Sequence, residues 1–301
     1  MSAAPTSAEL VVDARHATGE SPVWLGAEQA LYWVDIPAGQ LWRWDAASGQ
    51  TRHWQAPEML ACLAHVGPGR WIAGMQSGMF ELKLDLKNPG NALQCTPLAS
   101  VAHAAPNMRF NDGRTDRQGR FIAGTMVMNM GLASRAGTLY RFDAAGLSPI
   151  LGEVITPNGL GFSPDGRIMY LSDSHPSVQT IWAFDYDIAT GTPSNRRVFV
   201  DMNPLPGRPD GAAVDADGCY WICGNDAGLI HRFTPEGRLD RSLAVPIKKP
   251  AMCAFGGAGL DTLFVTSIRP GEGDLSDQPL AGSVFALRPG VQGLPEPAFA
   301  G

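Results

Sequence analysis

Apolar and polar positions alternate with period two over short stretches of this chain, and one alternating pattern returns six times. Each return opens on an aromatic residue, then an aliphatic one, then a small or polar one: Trp33-Val34-Asp35, Trp71-Ile72-Ala73, Phe121-Ile122-Ala123, Tyr170-Leu171-Ser172, Trp221-Ile222-Cys223 and Phe264-Val265-Thr266. Their first positions lie 38, 50, 49, 51 and 43 residues apart. A second alternating run follows each, such as Leu41-Trp42-Arg43-Trp44-Asp45, Leu139-Tyr140-Arg141-Phe142-Asp143 or Ile181-Trp182-Ala183-Phe184-Asp185. A third run precedes each and ends in a turn, as at Gly67-Pro68-Gly69, Pro164-Asp165-Gly166 and Asp217-Gly218. Alternation this rich in aromatic and β-branched residues marks half-buried strands, and the intervening turns are hairpin signals.

Three strands in every ~40–50 residues, with room for a fourth, is the period of a propeller blade. The expected fold is therefore all-β, a single six-bladed β-propeller over residues 1–301. A β-sandwich gives no reason for one pattern to recur six times. Ring closure needs a strand from one end of the chain to pair with the other. Leu10-Val11-Val12, in an N-terminal segment of residues 1–15, is the candidate to join the last blade, and residues 290–301 form a C-terminal tail.

Composition agrees and adds exclusions. The 35 Gly and 24 Pro serve turns rather than long helices. With 23 basic residues against 29 acidic ones the net charge is −6 without clustered cations, which excludes nucleic acid and anionic membrane surfaces as expected partners. No apolar run reaches the ~18 residues of a membrane span and the first twenty residues lack the pattern of a leader, so a cytoplasmic protein is expected. Five cysteines, Cys62, Cys95, Cys219, Cys223 and Cys253, are odd in number and mostly in apolar contexts, which predicts buried free thiols.

The blade pattern also says where polar side chains meet. The first residue of each inner strand points at the central channel, and four such positions are polar: Glu20 in Gly19-Glu20-Ser21-Pro22, Asn111 in Arg109-Phe110-Asn111-Asp112-Gly113, Asn158 in Pro157-Asn158-Gly159-Leu160 and Asp210 in Pro209-Asp210-Gly211. They stand 13, 10, 12 and 11 residues before the aromatic that opens the next strand. Two carboxylates and two carboxamides supply only oxygen donors, which suits a hard divalent cation. Pro-Asn-Gly and Pro-Asp-Gly are also ordinary turn tripeptides, and position before the inner strand is what distinguishes these from Asp165 and Asp217. No G-x-S-x-G elbow, H-E-x-x-H, Walker loop or G-x-G-x-x-G fingerprint is present, so serine hydrolase, His-built zinc and nucleotide chemistries have no local support.

With Gly19-Glu20-Ser21-Pro22-Val23-Trp24, Arg109-Phe110-Asn111-Asp112-Gly113, Ala123-Gly124-Thr125-Met126, Pro157-Asn158-Gly159-Leu160, Ser194-Asn195-Arg196-Arg197, Pro209-Asp210-Gly211 and Cys253-Ala254-Phe255-Gly256-Gly257, the sequence resembles the senescence marker protein (regucalcin), gluconolactonase and luciferin-regenerating enzyme family from about Gly19 to Gly282. The resemblance implies a six-bladed propeller with one divalent metal (Ca, Mg, Mn, Zn or Fe) held by Glu20, Asn158 and Asp210, and an activity that opens sugar lactones. It implies that Arg109 binds substrate oxygens and that Asn111 lies beside the metal or holds substrate. Where regucalcin-like members carry an acidic pair after Gly-Thr-Met, this chain has Met128-Asn129, so a different hydroxyl pattern is expected to be read.

The expected reaction is hydrolysis of a sugar lactone, a small-molecule partner, with Asp210 taking the proton of the attacking water. Phosphotriester or aryl ester hydrolysis at the same metal, or a propeller that only binds, are the alternatives. The connections 127–137 and 268–282 return to the metal face and are long, which makes them the expected walls of the substrate pocket, with Asn129 and Arg269 as contacts.

Overall fold

The structure, a computed structural model, describes residues 7–87 and 93–301. Six four-stranded antiparallel sheets form a ring, the arrangement of a six-bladed β-propeller in one domain. Blade 1 runs outward from the axis through Gly19–Leu25, Ala30–Asp35, Gln40–Asp45 and Thr51–Gln55. The inner strands of blades 2 to 6 are Leu60–Gly67, Met108–Thr115, Pro157–Phe162, Arg208–Val214 and Pro250–Gly256, and each packs beside the next around the channel. Among the described residues the one helical turn is a 3₁₀ turn at Met130–Leu132, and no helix is long and apolar enough to cross a membrane.

The aromatics of the second strands explain the six-fold repeat, although only Phe121 opens its strand; Trp71 and Trp221 stand second, Tyr170 and Phe264 third and Trp33 fourth. Trp33, Trp71, Phe121 and Trp221 are fully buried, and with their neighbours they fill the wedges between blades. Tyr32 meets Trp71 across blades 1 and 2 at 4.7 Å between ring centroids, Tyr170 meets Tyr220 across blades 4 and 5 at 5.0 Å, and Trp24 stacks on Phe264 across blades 1 and 6 at 5.4 Å. Each such side chain contributes about 2–3 kcal/mol through removal from water, so the repeat follows from the need to fill every inter-blade wedge.

Glu9–Val12 supplies the outermost strand of blade 6, pairing antiparallel with Val284–Leu287 through Glu9↔Ala286, Leu10↔Phe285 and Val12↔Val284. The C-terminal residues cross the opposite end of the channel from the inner-strand starts. Gln292 accepts from Ala216 N–H, Gly293 donates to the Leu260 carbonyl, Phe299 donates to the His65 carbonyl and Ala300 to that of Gly119. Glu296 meets Arg114 at 3.1 Å, and the ring of Phe299 stacks on Phe142. All five cysteines are free thiols, four of them buried.

One irregularity repeats with function. Every inner strand breaks register with its neighbour near its start, between Glu20 and Val23, Leu60 and Cys62, Phe110 and Gly113, Asn158 and Gly161, Pro209 and Ala212, and Pro250 and Cys253. A bulge re-aims the side chain at its position. Glu20, Asn111, Asn158 and Asp210 stand in or directly before these bulges, which is how their side chains come to share the channel mouth. At Gly159 the backbone has φ +60° and a Cβ would sit 2.4 Å from the Tyr220 hydroxyl, so the glycine after Asn158 is required on both counts.

Candidate active site

The mouth of the channel is a cavity of about 230 Å³, lined by Glu20, Arg109, Asn111, Asn158, Asp210 and residues around them. It therefore collects the four polar inner-strand residues and Arg109 in one place. Met126, near the end of the strand Phe121–Val127, forms an apolar wall with Met130, Ile268 and Pro270 from the two long connections.

Each polar group is held by a partner. The Asn111 amide nitrogen donates to the Pro157 carbonyl at 2.9 Å and to Asn158 Oδ1 at 3.1 Å, while its Oδ1 accepts from Arg109 Nη1 at 2.7 Å. Asn158 Nδ2 donates to Ser174 Oγ at 2.8 Å, which fixes its amide with the oxygen toward Asn111. Asn225 Nδ2 donates to Asp210 Oδ2 at 2.6 Å, and Glu20 Oε2 accepts from the Ser21 N–H at 3.1 Å. The backbone that delivers these residues is clamped as well. Asp173 accepts from the N–H groups of Ile155, Thr156 and His175, and Asp35 from those of Ala17 and Thr18. Asp35, Asp173 and Asn225 each terminate the second strand of their blade, in blades 1, 4 and 5. That shared position is a signal in the sequence, although none of the three stands out there as a functional residue.

Glu20 and Asp210 are both 7% exposed. Burial raises the Glu20 carboxyl well above its ordinary range, and the charge of Asp210 raises it further; Asp210 is raised by burial too, against the lowering effects of Asn225 and Arg208. Burial also lowers Arg109, to about 10. Two carboxylates thus share a buried mouth in which the protein's own cations leave both disfavoured as anions. A divalent cation among oxygen donors relieves that condition, and Glu20, Asp210 and the carbonyl oxygen of Asn158 fit one. The Asn111 oxygen accepts from the Arg109 guanidinium, whose positive charge disfavours a cation at that oxygen, whereas the Asn158 oxygen accepts from a neutral amide. Among the described residues no three His, Cys, Asp or Glu side chains cluster as a metal site. A site of two carboxylates and a carboxamide is outside that description and suits a hard ion.

The structure does not bring Asn129 or Arg269 into the lining. Asn129 is exposed, and its Oδ1 accepts from the Gly131 N–H, capping the 3₁₀ turn that carries Met130 into the cavity wall. Arg269 directs Nη1 at the carbonyls of Pro279 and Ala281, bracing its own connection. Thr18, Ser174, Asn225 and Lys249 line the cavity without having been singled out by motif, and Arg208, which opens the Arg208-Pro209-Asp210-Gly211 motif, lines it too.

A six-bladed propeller whose channel mouth holds buried oxygen donors beside a cavity defines a class of propeller enzymes. The chain belongs to the SMP-30/gluconolactonase/LRE-like family, whose model matches residues 18–269. It is 40% identical over 286 residues to the 6-deoxy-6-sulfogluconolactonase of Pseudomonas putida, covering 94% of this chain and 95% of that protein. It is 34% identical to the regucalcin of Gallus gallus over 97% of this chain and 98% of the relative. The crystal structure of a calcium-binding protein, regucalcin, from Agrobacterium tumefaciens superposes with a TM-score of 0.90 at 26% identity, covering 98% of each chain.

Proposed function

We propose that the protein hydrolyses sugar (aldono) lactones, such as gluconolactone or a pentonolactone, at the channel mouth, with one divalent cation held by Glu20, Asn158 and Asp210. The observation that carries this reading is the pair of buried carboxylates facing a fixed carboxamide oxygen from a third blade. The gluconolactonase-like family and a lactonase relative at 40% identity support the reaction, and relatives named as regucalcin and calcium-binding support a divalent ion. When bound, that ion supplies a Lewis acid for the ring carbonyl; Ca, Mg, Mn, Zn and Fe all accept this donor set.

The chain's own residues account for the remaining steps. Arg109 is anchored through Nη1 to the Phe110 carbonyl and Asn111, which leaves the rest of its fork to donate to substrate oxygens. Asp210 has Oδ2 fixed by Asn225, and Oδ1 takes the proton as the water oxygen bonds to the carbonyl carbon. The ring C–O bond then breaks, and the same proton passes to the departing alkoxide, giving the open aldonic acid. Met126, Met130, Ile268 and Pro270 exclude bulk water from one side of the cavity. Asn129 acts on substrate through the position of Met130, not by contact. We place the reaction in the cytoplasm, since five unpaired thiols suit a reducing compartment.

The test is a panel of aldonolactones and one phosphotriester, assayed on protein stripped by chelator and then reloaded with each metal. The reading expects lactone opening that is lost on stripping and restored on reloading. Activity untouched by thorough stripping, or confined to the phosphotriester, overturns it.

A further inference from the structure

The charges around the cavity are unequal. Three cations, Arg109, Arg208 and Lys249, line it against two carboxylates, Glu20 and Asp210. The divalent ion of the proposed reaction matches those two carboxylates. Asp226, at the lip, is shared: Arg208 Nε reaches its Oδ2 at 2.7 Å and Lys249 Nζ bonds its Oδ1. One carboxylate between two cations leaves positive charge over, and Arg109 adds to it.

The two lip cations differ in what remains available. Arg208 is the more committed, with three of its five N–H donors directed at Asp226, at the Ser174 carbonyl at 3.1 Å and at Asn225 Oδ1 at 3.5 Å. Lys249 has three N–H donors and, among the described residues, one acceptor; its side chain is 28% exposed. It enters from the loop before the inner strand of blade 6, whereas Arg109 comes from blade 3, across a six-membered ring. A neutral aldonolactone offers a cation so placed hydroxyl lone pairs but no fixed charge, because the negative charge formed during hydrolysis arises at the carbonyl and at the departing ring oxygen.

We infer that the lactone carries a fixed anionic group, a sulfonate, phosphate or carboxylate, at the end of its carbon chain away from the ring carbonyl, and that Lys249 receives it. This rests on the lactonase reading for the ring, and on the cavity's own charges for the anion. Arg208 and Asp226 act as positioning residues that hold the ammonium at the lip. The excess charge also draws an anionic lactone in from solution, an effect that salt screens.

Binding and turnover test the two readings separately. Calorimetry on metal-loaded protein compares gluconate with its analogues bearing a 6-sulfonate, a 6-phosphate or a 6-carboxylate, in 50 mM and 500 mM salt. At least one of the three analogues is expected to bind about 10- to 100-fold tighter than gluconate, the scale of one charge-assisted hydrogen bond. That ratio falls at high salt, collapses toward one in Lys249→Met and survives in part in Lys249→Arg. The three analogues rank the anion. Equal binding of gluconate and all three by wild type, or a preference unchanged in Lys249→Met, overturns the inference. The matching lactones, assayed for hydrolysis, address the reaction alone: a binding preference without turnover of any lactone removes the lactonase reading and leaves the anion site standing, and turnover without preference does the reverse.

Discussion

Asp210→Asn is expected to make the cation-free protein more stable while removing its response to metal. In the absence of a cation Asp210 is a buried carboxylate facing Glu20, and burial raises the pKa of both. An uncompensated buried charge costs about 3–5 kcal/mol. The amide that replaces it keeps the geometry, and turning its oxygen toward Asn225 Nδ2 preserves the 2.6 Å hydrogen bond now made to Oδ2. The amide nitrogen then needs a partner in the mouth, at about 1–2 kcal/mol if it finds none. The net gain is about 1–4 kcal/mol. For 301 residues the unfolding entropy is roughly 0.6 kcal/mol per degree, so the melting temperature rises by about 2–6 °C. The pH dependence has a definite sign. A carboxyl whose folded pKa lies above its unfolded one binds more protons when folded, so stability falls as pH rises from the unfolded value through the folded one. The advantage of the variant over wild type in chelator is therefore larger at pH 8 than at pH 5. Calorimetric melting of both proteins at both pH values, in chelator and then in excess divalent cation, reads all of this: the cation raises wild type strongly and the variant little. A variant that is less stable than wild type in chelator at pH 8, and still gains fully from cation, refutes the carboxylate-pair argument.

Asp173→Ala strips three buried N–H groups of their acceptor, and is expected to cost about 3–5 kcal/mol, lowering the melting temperature by roughly 5–8 °C; it also weakens cation affinity by loosening the backbone that carries Asn158, as titration calorimetry will show. Glu296→Ala leaves Arg114 charged and largely buried, which is expected to cost about 3 kcal/mol in thermal melts while lactonase kcat of the folded protein stays the same, because the pair lies at the far end of the channel. Asn129→Ala removes a turn cap worth about 1 kcal/mol, so KM rises roughly five-fold through displacement of Met130 with kcat held; a loss confined to kcat contradicts the indirect role.

The architecture was legible because each inter-blade wedge demands a large apolar side chain from a second strand, and Trp33, Trp71, Phe121 and Trp221 mark that demand directly. Glu20, Asn111, Asn158 and Asp210 were legible as a set because the register break recurs at the inner-strand start, so one position in the repeat always faces the axis. What escaped the sequence acts across the repeat. Asp173 reaches backbone N–H groups 17 and 18 residues upstream, and Lys249 and Arg208 come together on Asp226 only after blades 5 and 6 are packed. Asn129 and Arg269 fall outside the cavity lining. Both sit in the connections that form the cavity wall, yet a polar side chain in a tight loop is drawn first to its own backbone, and here it is Met130, Ile268 and Pro270 that face inward.

The pairing of Glu9–Val12 with Val284–Leu287 also sets an order of events during synthesis. The strand that finishes the ring leaves the ribosome before blade 1, and its partner, the third strand of blade 6, emerges only after the first two strands of that blade. Five blades can be hairpin-built from neighbouring sequence as they appear, but the sixth needs a segment that has been without a partner since before blade 1 was made. Until that moment Val284–Leu287 offers an open apolar edge to any other strand within reach. A nascent chain stalled short of residue 284 therefore cannot close its ring, and the step most exposed to aggregation is the last one, when an early-made strand must find its place ahead of a neighbour's.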